Sequence, residues 1–290
     1  MGNRYDLAIL GAGPAGYAAA MRAHDLGKRV LLVEKGRVGG TGIHTGALSS
    51  KTMWHLSNDY ALVCRNDRGY CAKDVDISYR AVMDAVRAAV EERRDTLERQ
   101  LEALARPSPS GGVVELRRGS ARFVGPHAIS IEDFHGNRAI EEADNVLVAT
   151  GSTPRRPPGV DVDGERIVTS DHIESLERFP ESMVVVGAGV VGCEYATIFA
   201  SFGKTRISVL DRQPRILPFE DADVAEVVAR SFESMGIVIH RASKLESIRN
   251  VGDRVEYVLA LGEPIRKERD DALVDLGLLI ESLTDAIARF

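Results

Sequence analysis

The segment Tyr5–Gly16, YDLAILGAGPAG, decides the fold. Its first half, Tyr5–Leu10, is a short apolar run that stops at a glycine cluster, as expected of a strand buried in a parallel sheet. Residues Ala15–Leu26 carry a helical pattern closed by Gly27, and a second apolar run, Arg29–Glu34, completes a strand–helix–strand unit. The cluster Gly11-Ala12-Gly13-Pro14-Ala15-Gly16 thus lies between a strand and a helix start, the context in which spaced glycines point to dinucleotide binding. Gly11 permits the tight turn, Gly13 lets a pyrophosphate approach the backbone, and Gly16 allows close helix–strand packing. Backbone N–H groups at the helix start, where Ala15 stands behind the N–H-free Pro14, face the anion along the helix dipole. Glu34, 23 residues beyond Gly11, ends the second strand and can accept hydrogen bonds from a ribose diol. The bland alternative is a tight turn without a ligand.

The pattern recurs over Met183–Leu210. An apolar strand leads into Gly187-Ala188-Gly189-Val190-Val191-Gly192 and a helix, and the second strand ends at Asp211, 24 positions beyond Gly187. An acid there favours the free 2′-hydroxyl of NAD(H). Arg212 and Arg215 follow and suit a 2′-phosphate, or are two surface arginines, so the choice of nicotinamide nucleotide stays open.

Other segments connect these two units. A helix is predicted to begin over Ser50–Leu56. A long amphipathic helix covers Tyr79–Ala105, with Val82, Val86, Val90, Leu97, Leu101 and Leu104 near helical spacing and the charge run EERRDTLERQ as its solvated face. The loop RPSPSGG precedes short strands in VVELRRGSARFV and AISIED, a turn at His135-Gly136-Asn137, and the run NVLVAT. GSTPRRPPG, residues 151–159, reads as an inter-domain connection. A helix over Asp223–Met235, a strand IVIH and a hairpin to about Ile265 follow. The expected fold class is α/β with two Rossmann-like dinucleotide domains, 1–150 and 151–265, and an atypical tail, 266–290. Leu276, Ile280, Leu283, Ile287 and Phe290 give that tail helical spacing.

A chain of 290 residues, 44% apolar and 28% charged, has the length and balance of two soluble globular domains. A net charge of −6 argues against a nucleic-acid partner, and no apolar run is long enough to span a bilayer. The first residues lead directly into a strand, so no signal peptide is expected. Cys64, Cys71 and Cys193 make no disulfide framework, and each is expected to be buried in packing. The expectation is a cytoplasmic protein without a metal site.

The segments VGGTGIHTGALSSK (Val38–Lys51), RRGSARFVGPHAI, VLVATGSTPRRP, IVTSDHI and VVVGAGVVGCEYATIFASFG carry a resemblance. The chain, from about residue 4 to about residue 265, is similar to the class I pyridine nucleotide–disulfide oxidoreductases, the flavoprotein family of dihydrolipoamide dehydrogenase and glutathione reductase. Within that family it most resembles the soluble pyridine nucleotide transhydrogenase branch. The resemblance implies FAD held by Gly11, Gly13, Pro14, Ala15, Gly16, Glu34, Gly40, Thr41, Thr150 and Gly151. It implies NAD(P) held by Gly187, Gly189, Val190, Gly192 and Asp211. Lys51 stands where the family lysine lies near flavin N5, and Glu194 where its glutamate partner lies.

The departures are equally specific. Gly42 and Ala47 occupy the positions of the family's redox-active CxxxxC pair, so a dithiol–disulfide relay is chemically impossible there. Ser49 replaces a family proline. No counterpart of the family's C-terminal ribitol-binding turn and dimerisation domain follows residue 265, which leaves homodimerisation open; DDALV is either part of a helical tail or a remnant of the family strand after the NAD unit. His44 reads as a structural loop histidine, and Tyr17 and Trp54 as core residues. The resemblance implies hydride transfer between NAD(P)H and NAD(P)+ through flavin, with no nucleic-acid or membrane partner. Two rivals stand beside it: a diaphorase-like NAD(P)H dehydrogenase and a non-catalytic nucleotide-binding paralogue.

Overall fold

The computed structural model describes residues 4–69 and 71–260, and the backbone of 266–270 and 272–275. The chain forms two compact units, residues 1–49 with 88–152, and residues 50–87 with 153–290. It opens with β1 (Tyr5–Leu10), α1 (Pro14–Asp25) and β2 (Arg29–Glu34). Next come α2 (Gly40–His44), α3 (Ala47–Arg65) and α4 (Tyr79–Leu104), then β3 (Val113–Arg118), β4 (Ser120–Gly125), β5 (Ala128–Glu132) and β6 (Arg138–Val148). In β2, Val30, Leu31, Leu32 and Val33 are all buried, so an unbroken apolar run here marks a strand covered on both faces.

The sheet of the first unit has the order β3-β2-β1-β6-β5-β4. Its β1 pairs in parallel with β2 (Leu7 opposite Val30) and with the second half of β6 (Leu10 opposite Val148). The first half of β6 instead pairs antiparallel with β5, so one long strand belongs to both a parallel sheet and a three-stranded meander. Tyr5, Ala8, Leu10, Leu31, Val33, Ile129, Ile131 and Ala143 pack between them as a core. At its edge the Tyr5 hydroxyl donates to Glu115 at 2.6 Å, Arg117 bridges Glu115 and Glu141, and the Arg29 guanidinium lies 4.5 Å above the Tyr5 ring. Burial, with the neighbouring Glu115, pushes the Tyr5 phenol up to about 12.

The second unit carries β7 (Ile167–Thr169), β8 (Ser182–Val186), α5 (Val190–Phe202), β9 (Arg206–Leu210), α6 (Ala222–Ser234) and β10 (Val238–His240). After these come β11 (Lys244–Val251), β12 (Arg254–Ala260), β13 (Arg266–Asp270) and β14 (Ala272–Asp275). A parallel sheet of order β10-β9-β8-β14-β7 lies with an antiparallel sheet β11-β12-β13, and Ile167, Val184, Leu210, Val255, Tyr257 and Leu259 form one core. Among the described residues no helix is long and apolar enough to cross a membrane, and no cluster of three or more His, Cys, Asp and Glu could hold a metal.

Four expectations need correction. The helical reading of the tail fails over 266–270 and 272–275, which are strands; β14 agrees with the other reading of DDALV, as a strand after the NAD unit, and slots between β8 and β7, while the rest of the tail lies outside the described residues. A lone apolar spacing could not reveal that two strands leave a one-strand gap between them. Cys64 and Cys71 are exposed, in the last turn of α3 and the loop after it, and only Cys193 is buried. Trp54 is 41% exposed, because α3 buries the stripe Ser50, Met53 and Ser57 and leaves position 54 outside it. Tyr17 is half-buried rather than in the core, its hydroxyl donating to Gln100 at 2.6 Å.

Candidate functional site

Gly11 sits at φ +107°, and a Cβ there would lie 2.2 Å from the Ala149 carbonyl oxygen. That close approach brings Thr150 against the turn, while Gly151, at φ +71°, faces open space. A Cβ on Gly16 would lie 1.8 Å from the Gly11 carbonyl, so α1 can cross its strand this closely only with glycine there. Gly13 is different. It is the N-cap of α1, extended at φ −71° and ψ −177°, and a Cβ built on it meets nothing within 4 Å. Bare backbone faces open space at the mouth of a 12-residue helix, which is the cradle a diphosphate needs. Gly40 stands beside it, its Cβ position 3.3 Å from the Gly13 Cα, and Thr41 follows, exposed. The residues present therefore fit a dinucleotide.

Glu34 organises the turn as well as offering oxygens to a ribose. One carboxylate oxygen accepts from the Ala12 N–H and the other from the Gly36 N–H, both at 2.6 Å. Each oxygen keeps a further lone pair.

The second turn repeats the first bond for bond. Gly11 N–H donates to Val33 O, and Gly187 N–H to Leu210 O, each at 2.8 Å. Ala12 N–H donates to Glu34, and Ala188 N–H to Asp211 at 2.7 Å. The acid's other oxygen takes the N–H two residues on, Gly36 in one case and Gln213 in the other. The carbonyl of Ala12 accepts from Gly39 N–H at 2.8 Å, and that of Ala188 from Leu217 N–H at 2.7 Å. Gly187 has φ +101°, Gly189 is an extended N-cap with open space at its Cβ, and a Cβ on Gly192 would lie 2.1 Å from the Gly187 carbonyl. Val190, first in α5, is exposed beside this turn.

A cavity of about 460 Å3 opens at the second turn. Gly187, Gly189, Val190 and Asp211 line it, together with residues the sequence reading missed: Arg155 and Pro157–Val160, Leu217–Glu220, and Ser243 and Leu245–Ile248. No local pattern marks these residues, since they lie on a linker, a loop and a hairpin far apart in the chain. Arg215 secures the loop by donating to the carbonyls of Pro218 at 2.8 Å and Glu220 at 3.0 Å. Cys193, in the first turn of α5, is held neutral: burial, with the Asp211 charge, pushes its thiol up to about 12.

Lys51 and Glu194, remote in sequence, form an ion pair in the second unit, with the ammonium 2.8 and 3.0 Å from the two carboxylate oxygens. The Ser50 hydroxyl donates to Glu194 at 3.0 Å. Glu194 is mostly buried, whereas the Lys51 side chain is 58% exposed. At the end of α2, His44 Nε2 lies 2.9 Å from the Val38 carbonyl. Gly42 lies within α2, and Ala47 opens α3; neither carries a group that can form a thiolate.

A family model described as "Pyridine nucleotide-disulphide oxidoreductase" matches residues 5–281. The chain belongs to this family. A dihydrolipoyl dehydrogenase of Chlorobaculum parvum is 32% identical over 279 residues, covering 95% of this chain and 57% of the relative. A soluble pyridine nucleotide transhydrogenase of Vibrio parahaemolyticus is 34% identical over 278 residues, covering 92% of this chain and 56% of the relative. Among solved structures, LpdA of Mycobacterium tuberculosis superposes with a TM-score of 0.81 at 28% identity, over 94% of this chain and 58% of LpdA. The chain thus spans under three-fifths of the length of these family members.

Proposed function

We propose that the chain holds FAD at the Gly11–Gly16 turn and NAD(P) at the Gly187–Gly192 turn, within residues 1–150 and 151–265, and exchanges hydride between nicotinamide nucleotides. The observation that carries this reading is the same hydrogen-bonded turn built twice, in a chain whose redox-loop positions are Gly42 and Ala47. The first feature supports two dinucleotides. The second removes the dithiol that disulfide reduction requires.

Bound FAD supplies reversible two-electron chemistry. The protein's part is positioning and charge. The amides at the starts of α1 and α5 bind diphosphates, and Glu34 and Asp211 receive ribose hydroxyls while pinning their own turns. Lys51, oriented by Glu194 and through it by Ser50, would supply the positive charge that favours a reduced flavin. Unpaired cysteines suit a reducing, cytosolic setting.

The absorption spectrum of the purified full chain tests the reading first. A flavin band, retained after gel filtration or restored with added FAD, is the expected result. Protein that stays colourless with FAD sinks the enzymatic reading. In flavin-loaded protein, reduction of an NADP analogue by NADH without a quinone is expected; activity with quinones alone would transfer the assignment to a diaphorase.

A further inference from the structure

Two exposed thiols, Cys64 and Cys71, lie outside both glycine turns, at the two ends of one short loop. Cys64 is in the last turn of α3, and Cys71 stands seven positions on, in neither helix nor strand. Asn66, in the left-handed region at φ +53°, ends the helix and turns the chain back. Its side-chain nitrogen donates to the Cys64 carbonyl at 3.4 Å, and its side-chain oxygen accepts the Ala72 N–H at 2.7 Å. A single carboxamide therefore spans the gap between the Cys64 backbone and the peptide group that follows Cys71. Gly69, at φ +76° with open space at its Cβ position, adds a turn that no side chain obstructs. A disulfide needs Cα atoms about 4.4–6.8 Å apart, and an irregular loop clamped this closely reaches that span by backbone rotation. The Tyr60 hydroxyl, one helical turn before Cys64, hydrogen-bonds to the Cys64 sulfur and to the Lys204 ammonium, which Asp76 holds at 2.8 Å. The Cys64 sulfur is thus fixed at the helix end, and Cys71 rides on the loop that brings a second sulfur to it.

We propose that Cys64 and Cys71 form a redox modification site, which exchanges with a low-molecular-weight disulfide and closes to an intramolecular disulfide. Cys64, as thiolate, attacks one sulfur of the small disulfide; a mixed disulfide forms and one small thiolate leaves. Cys71, as thiolate, then attacks the Cys64 sulfur; the Cys64–Cys71 bond forms and the second small thiolate leaves. The two cysteines give up two electrons and two protons, and the small disulfide becomes two thiols. Excess small thiol reverses both steps. Cys193, buried in α5, takes no part. The proposal stands independently of the nucleotide-binding reading.

The test is peptide-mapping mass spectrometry of the full chain after incubation with glutathione disulfide and quenching by alkylation. The expected product has lost two hydrogens per chain, carries a Cys64–Cys71 cross-link, and leaves Cys193 to be alkylated only on unfolding. Accessible thiols titrated in the folded protein should fall from two per chain to none, and dithiothreitol should restore both. Cys71→Ser should stop at one glutathionyl group on Cys64. Both cysteines are exposed, so serine at either should leave the circular dichroism unchanged. The proposal is overturned if the parent carries separate glutathionyl groups on the two cysteines, if the cross-link joins two chains or includes Cys193, or if neither cysteine reacts. A Cys71→Ser chain that stays unmodified overturns the role given to Cys64.

Discussion

Gly13 and Gly16 are glycine for opposite reasons, and substitution separates the two. The Gly16 Cβ position lies 1.8 Å from a backbone carbonyl that cannot yield, whereas the Gly13 Cβ position meets only open space. Gly16→Ala should therefore destabilise the protein by about 2–3 kcal/mol, read as a lower urea midpoint. Gly13→Ala should leave the midpoint within about 0.5 kcal/mol of the parent and still weaken FAD retention, because its methyl occupies the diphosphate's place. Lys51 invites a kinetic test, since its Nζ is 2.8 Å from Glu194 and more than half of the side chain is exposed. Lys51→Met should lower the rate of hydride exchange about 10- to 100-fold while the flavin band persists. An unchanged rate would make Lys51 a surface lysine. The positions of these glycines were legible in residue type and spacing, since a strand-to-helix turn needs glycine at fixed offsets, whereas Lys51 was singled out only by the family resemblance. The exposure of Trp54, Cys64 and Cys71 was not legible: which face of α3 is covered depends on elements distant in sequence.

Among elements, the β11–β12 hairpin is tied to the linker by Asp163. One oxygen accepts from the backbone N–H groups of Glu165, Arg166 and Ile167, and the other from the Asn250 side chain at 2.8 Å. Burial alone would raise this carboxyl, but those donors hold it below the usual value. A carboxyl lowered in the folded state contributes stability above its unfolded pKa and loses it as pH falls through the folded value. Asp163→Ala should thus cost about 1 kcal/mol at neutral pH, with the gap from the parent closing below about pH 4 in urea titrations. Tyr79 anchors the start of α4, its ring edge-on to Phe179 at 4.9 Å and its hydroxyl donating to the Ile173 carbonyl at 2.5 Å. Tyr79→Phe leaves that carbonyl without this donor and should cost about 1 kcal/mol; Tyr79→Ala should cost about 3–5 kcal/mol. The long amphipathic α4 and both strand–helix–strand units were readable from period alone, because each exposes one face or none. The five-residue α2 and the strand β13 were not, because runs that short carry no period, and β14 was legible only as one of two readings of DDALV.

At the scale of the whole molecule, two turns of one design lie in separate compact units, the first in residues 1–49 and the second in residues 153–290. The two ligands should accordingly be separable by mutation. Gly189→Ala should abolish nucleotide-analogue binding and leave FAD binding within about two-fold, and Gly13→Ala should do the reverse, as titration of each ligand against each variant would show. Loss of both ligands in either variant would mean that the two sites are one cooperative structure.

The order of apolar runs, glycine offsets and strand-ending acids by itself determined that the chain holds two dinucleotide-type units, and the resemblance of Val38–Lys51 to the family loop showed that its thiol pair is missing. These are local properties: a turn's dihedral needs and a side chain's chemistry are present in a dozen consecutive residues. Tertiary structure alone decided that Glu34 and Asp211 each pin their own turn, that Arg215 is tied to a loop while Arg212 lines the cavity, and that β14 fills the gap between β8 and β7. Those facts depend on partners far along the chain, and no spacing within a segment encodes which distant backbone group a side chain will meet.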